Sequence, residues 1–313
     1  MSRRHAPTAV RPPTPPEVLR RLEITVMRRL DGYLHGDHQG LVPGAGTEPG
    51  EARQYRPGDD VRRMDWGVTA RTQIPHVRDT IADRELETWI VVDLSASLAF
   101  GTARLEKRSL ALATAAAVGF VASRAGNRIG TVVLGGERPM VVPARSGRAH
   151  LMATLQRMER TQTVEGAGPT DLAGALETLA RTRRPRGLVV VVSDFLAAPA
   201  WVRPLRALTV RHEVMAVEVV DPRELDLPSV GLLVLRDPET GRELEVQTSD
   251  RRTRERFAAA AAAQRQGIAR SIRAAGADHL VLRTDRDWIV DLVRHLSERR
   301  RRRGMGTGAG ARR

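Results

Sequence analysis

Trp89-Ile90-Val91-Val92-Asp93-Leu94-Ser95-Ala96-Ser97 is the stretch from which the fold can be read. Four apolar residues in succession, closed by a carboxylate, predict a strand buried on both faces, the pattern of a parallel sheet. The D-x-S-x-S that follows then lies in the loop at the strand's carboxyl end. Leu188–Val192 repeats the theme, with Ser193-Asp194 behind it.

Outward from these two strands, apolar periodicities of about 3.6 and 2 alternate. Helices are predicted at 104–125, 148–159, 171–182, 199–208, 251–275 and 285–298. Strands are predicted at 129–134 and 139–142 around Gly135-Gly136, then at 213–219 and 279–282, with a hairpin insertion within 221–249. This order predicts an α/β fold over residues 86–298, a doubly wound and mostly parallel sheet. Residues 1–16, rich in proline, are expected to be a disordered lead. Residues 17–85 are expected to hold a helix with Val18, Leu22, Val26 and Leu30 on one face, a Gly/Pro-rich loop over 36–50, and a small antiparallel unit of strands and turns. A basic tail, 299–313, is expected to be disordered.

Composition narrows the function classes. The chain has 313 residues with 41% apolar content, enough for a real core. It has no cysteine, which excludes disulfides, thiol catalysis and thiolate zinc sites. No apolar run approaches the roughly 18 residues of a membrane span, and no apolar leader opens the chain, so a cytoplasmic location is expected. The net charge is +14. Residues 1–30 carry +5 of it and residues 299–313 carry +7, leaving a nearly neutral body. Arginine fills every basic position but one, Lys107. Arg-rich ends can attract nucleic acid, which keeps a nucleic-acid-associated protein as the alternative reading.

Oxygen-bearing side chains gather at predicted strand ends and helix starts. Asp93, Ser95 and Ser97 follow the first strand and Asp194 the second. Thr170, in Gly168-Pro169-Thr170-Asp171, opens a helix between them. Ligands of doubly wound sheets sit outside the carboxyl ends of the strands. Hydroxyls with one or two carboxylates suit a hard divalent cation, Mg²⁺ or else Mn²⁺ or Ca²⁺.

Asp93, Ser95, Ser97, Thr170 and Asp194 resemble the complete metal-ion-dependent adhesion site of von Willebrand factor A domains. Upstream, Arg53-Gln-Tyr-Arg-Pro-Gly-Asp-Asp60, Arg63-Met-Asp-Trp66, Thr69-Ala-Arg71 and His76-Val-Arg-Asp79 resemble the signature of the bacterial DUF58 family, a family of unknown function. The resemblance implies a bound cation with an open position for a Glu or Asp of a partner protein. It also implies a MoxR-type AAA+ ATPase as partner, and hence an adaptor in protein-complex assembly or maturation rather than an enzyme.

Common enzyme signatures are missing from the sequence. There is no G-x-x-x-x-G-K-[ST], and Lys107 follows Glu106 without a glycine loop, so P-loop hydrolysis is excluded. Neither G-x-S-x-G nor H-E-x-x-H occurs. A hydrolase using metal-bound water would have only Asp171 as an evident base. Arg56, Asp59, Asp60, Arg63, Asp65 and Arg71 read as ion pairs locking the N-terminal unit in place, with Trp66 among them as an interdomain residue, or else the group reads as a docking surface. His35, Asp37 and His38 read as solvated. Trp66, Trp89, Trp201 and Trp288 read as core.

Overall fold

The computed structural model of the protein describes residues 23–25, 27–29, 52–55, 61, 64–78, 86–136, 138–161, 170–182, 184–238 and 240–307. Strands β1 (Ala52–Gln54) and β2 (His76–Arg78) pair antiparallel around helix α1 (Trp66–Thr72). The helix corrects the expectation of strands and turns alone. Asp65 makes it: its Oδ1 accepts from the backbone N–H of Gly67 at 3.0 Å and of Val68 at 3.1 Å, satisfying donors that a helix start leaves open. The chain then runs through β3 (Glu87–Asp93), α2 (Lys107–Arg124), β4 (Arg128–Leu134), β5 (Met140–Arg145), α3 (Arg148–Arg160), α4 (Leu172–Arg181) and β6 (Gly187–Ser193). It continues with α5 (Val202–Thr209), β7 (Glu213–Val220), the hairpin β8 (Leu232–Arg236) and β9 (Glu243–Gln247), α6 (Arg251–Ala274), β10 (Asp278–Arg283) and α7 (Trp288–Thr307).

The expected doubly wound sheet is present. Its order is β10-β7-β6-β3-β4-β5, with every pairing parallel except that of the edge strand β5. Side chains alternate across it, as a strand's period of two requires. Ile90 and Val92 of β3, with Val190 and Val192 of β6, face a core closed by α2, α3 and α7. Trp89 and Val91, with Val189 and Val191, face the opposite core under α4, α5 and α6. Burial on both faces is why these strands are runs of Val and Ile. Helix α2 is Ala-rich because it is wedged between the sheet and α3; a Cβ at Gly119 would meet the Leu151 side chain.

Several expectations are corrected. Helix α7 does not stop at Glu298 but runs on to Thr307, so the tail begins as helix. Arg299 is folded in: its side chain is 12% exposed and pairs with Asp278 at 2.7 Å and Glu213 at 3.2 Å. Trp89, Trp201 and Trp288 are core, but Trp66 is 69% exposed. The N-terminal helix, seen at 23–25 and 27–29, lies on the main body. Met27 packs on the core, Glu23 pairs with Arg148, and Arg29 pairs with Asp287. The expectations for 1–16, for 36–50 with Asp37 and His38, for His35, and for Arg56, Asp59, Asp60 and Arg63 lie outside the described residues.

Candidate functional site

In chain order the six strands of the sheet lie 3-2-1-4-5-6, so the order reverses between β3 and β6. At such a switch point the loops after the two strands part in opposite directions and leave a crevice. Asp93 ends β3 and Asp194 follows β6, one on each side of it.

Hydrogen bonds join the predicted residues. Asp93 Oδ1 accepts from the Ser95 N–H at 3.0 Å, and Ser193 Oγ donates to Asp93 Oδ2 at 2.8 Å. The Ser95 and Ser97 hydroxyls are 3.1 Å apart, and the Ser97 hydroxyl helps to hold the Asp194 carboxyl below its ordinary value. Asp194 Oδ1 takes the Leu196 N–H. Both aspartates are 2% exposed. Thr170 stands at the start of α4 on a separate loop, its carbonyl accepting from Leu172 N–H. Asp93, Ser95, Ser97 and Asp194 therefore gather at one edge of the sheet, and the start of α4 carries Thr170 to the same edge. Asp171 caps α4, accepting from Gly174 N–H at 2.7 Å.

Residues that sequence reading missed complete the site. Lys107 Nζ, fully buried, donates to Asp194 Oδ2 at 2.8 Å, to Glu224 Oε1 at 2.5 Å and to the Ser97 carbonyl at 3.1 Å. Arg265 donates to Glu224 Oε2, to Glu218 Oε1 and to the Asp194 carbonyl, and Glu218 in turn meets His279 Nε2 at 2.7 Å. Asp221, fully buried, accepts from Thr102 and Thr284, pinning the ends of β7 and β10 to the loop after β3. Partners 87 and 117 residues away leave no local pattern for a sequence reading to find. The one available signal was Lys107 being the sole lysine.

The two aspartates are electrostatically unlike. Burial and the neighbouring Asp194 charge push the Asp93 carboxyl up from 3.8 to about 6. Burial would raise Asp194 as well, but the Lys107 ammonium outweighs it and holds that carboxyl below its ordinary value. Lys107 is likewise held above its ordinary value by Asp194 and Glu224, against its burial. Two buried carboxylates with two hydroxyls on the loop after β3 fit a hard divalent cation in donor type. Among the described residues no three His, Cys, Asp or Glu side chains gather to hold a metal, so such an ion would depend on the hydroxyls.

The segment expected to lock the N-terminal unit in place is present in part. Asp65 caps α1, and Arg71 Nε donates to the Gly67 carbonyl within that helix.

The family described as "Protein of unknown function DUF58" matches residues 51–267. The chain belongs to the DUF58 family. Uncharacterized proteins of Mycobacterium tuberculosis and Mycobacterium bovis are each 53% identical to it over 313 residues, covering 96% of this chain and 98% of the relative. Among solved structures, the conserved hypothetical protein BatB from Bacteroides thetaiotaomicron is 15% identical, covering 68% of this chain and 98% of that one, with a TM-score of 0.41. The VWA domain of SpRpn10 is 12% identical, covering 66% and 93%, with a TM-score of 0.38. The sheet order of this DUF58 chain is that of a Rossmann-type, doubly wound fold. Among its described residues no helix is long and apolar enough to cross a membrane.

Proposed function

We propose that this DUF58 protein is a non-enzymatic interaction module whose carboxyl-edge site takes a divalent cation, Mg²⁺ in the first instance. When bound, the cation would supply an open coordination position for an acidic side chain of a partner protein. One observation carries the reading: the buried Asp93 and Asp194 carboxylates flank the switch point near enough for the charge of Asp194 to raise the Asp93 carboxyl, with the bonded Ser95 and Ser97 hydroxyls on the loop after Asp93. On this reading Asp93, Ser95 and Ser97 hold the ion, Thr170 and Asp194 complete the site, and Ser193 fixes the Asp93 carboxylate. The mostly neutral hydroxyl donors leave positive charge for an anionic partner group. A MoxR-type AAA+ ATPase is the partner that the family resemblance suggests.

The test is thermal melting with and without Mg²⁺. A ligand that binds only the native state raises the melting temperature, so wild type should show a rise that Asp93→Ala abolishes. A partner pulled down only with Mg²⁺ present, and not by the variant, would extend the result to interaction. A rise of equal size in Asp93→Ala would overturn the site.

A further inference from the structure

Where an ammonium is chosen over a guanidinium in a chain that uses arginine at fifty other positions, the local geometry should say why. Lys107 opens α2 at the sheet's carboxyl edge with no exposed surface, and its three partners are all oxygens: Asp194 Oδ2, Glu224 Oε1 and the Ser97 carbonyl. A compact charge with three donors fits such an enclosed group, whereas the planar fork of arginine would not. These are also the donor types that a hard metal ion takes. Two of the three partners, Asp194 and Ser97, belong to the candidate cation site itself.

We infer that Lys107 is a built-in cation that competes with the divalent ion for Asp194. Asp93, Ser95 and Ser97 then carry the ion while Asp194 stays committed to the ammonium. This inference rests on the cation reading above and assigns a role to a residue outside it. Glu224 gives the ammonium a second anchor, and Arg265 holds the other oxygen of Glu224 at 2.8 Å. The lysine therefore cannot leave Asp194 for solvent; it can only shift its weight toward Glu224. Its charge adds one positive unit beside the ion, which weakens the hold of the protein on the ion and strengthens the pull on an anionic partner group. Lys107 is in this sense a positioning and specificity residue, exchanging ion affinity for selectivity toward acidic ligands.

The experiment uses the full chain, stripped with EDTA and titrated with Mn²⁺ by calorimetry and by the spin-resonance signal of free Mn²⁺. Wild type, Lys107→Met and Arg265→Met are compared. Lys107→Met should bind Mn²⁺ about tenfold more tightly than wild type, because Asp194 is released. Arg265→Met also removes a partly buried positive charge, but the bond of Arg265 to Asp194 is to the carbonyl oxygen; its affinity should change far less. Lys107→Met binding no more tightly than wild type overturns the inference, and so does an equal gain in Arg265→Met, which would mark a general charge effect. If Lys107→Met does not fold, Glu224→Gln decides. That change leaves Asp194 as the one carboxylate holding the ammonium, so binding severalfold weaker than wild type supports competition, and unchanged or tighter binding refutes it. Absence of Mn²⁺ binding in wild type as well would instead bring down the cation reading, and this inference with it.

Discussion

Asp93 links geometry to a measurable pH dependence. Its carboxyl sits at about 6 in the fold against an ordinary 3.8, so the folded state binds that proton more tightly than the unfolded chain does. The stability it contributes is present below about pH 4 and is lost as pH rises through about 6. At neutral pH the ion-free fold bears a cost of about 3 kcal/mol from this group. Asp194 has the opposite sign, and its contribution is lost only as pH falls below the ordinary carboxylate range. Asp93→Asn should therefore flatten the fall in melting temperature between about pH 4 and pH 7 in EDTA, and melt higher than wild type at neutral pH. A variant whose pH profile still parallels wild type would show that Asp93 is ordinarily acidic. These residues were legible in sequence because each follows a strand or opens a helix. Their inequality was not, since it comes from Lys107, a contact made across 87 residues.

At the scale of elements, the all-apolar strands could be read because burial on both faces leaves no room for polar alternation. Helix α1 could not. Its seven residues, WGVTART, bury none of their side chains and include Gly67 and β-branched Val68, so propensity and periodicity are both silent. Only the Asp65 cap declares it. The course of α7 past Glu298 was hidden by charge: a run of arginines reads as a solvated tail, yet arginine is a good helix former. The turn after β4 was legible as Gly135-Gly136, and the structure gives it a purpose. Gly135 has φ +124°, and a Cβ there would overlap the Leu94 carbonyl, whose own N–H bonds to Leu134 O at 2.9 Å. Gly135→Ala should cost about 3 kcal/mol or more in urea unfolding, from backbone strain plus the clash. It should also displace the Ser95–Ser97 loop and so reduce any Mg²⁺-dependent melting shift. An unaffected midpoint would mean that the β3 loop is not held by β4.

Across the whole molecule, the sheet separates two sets of charges. The carboxyl edge holds the Asp93, Asp194 and Lys107 group. The amino edge holds a cavity of about 330 Å³ lined in part by His212, Glu213, Asp278, His295 and Arg299. Arg299 joins α7 to β7 and β10 there, through Glu213 and Asp278. Both carboxylates are partly exposed, so Arg299→Ala should cost about 1 kcal/mol, read as a lowered thermal midpoint. A midpoint equal to wild type would place Arg299 with the solvated tail that the sequence alone suggests.

The sole lysine has a further consequence, for amine chemistry. Apart from the α-amino group, the chain owns one primary amine, and in the native fold it has no exposed surface. Aldehydes, amine-directed acylating reagents and any enzyme that attaches a tag through a lysine side chain therefore meet a molecule of large positive charge that offers no exposed lysine amine. That nitrogen becomes reachable only when the carboxyl edge opens.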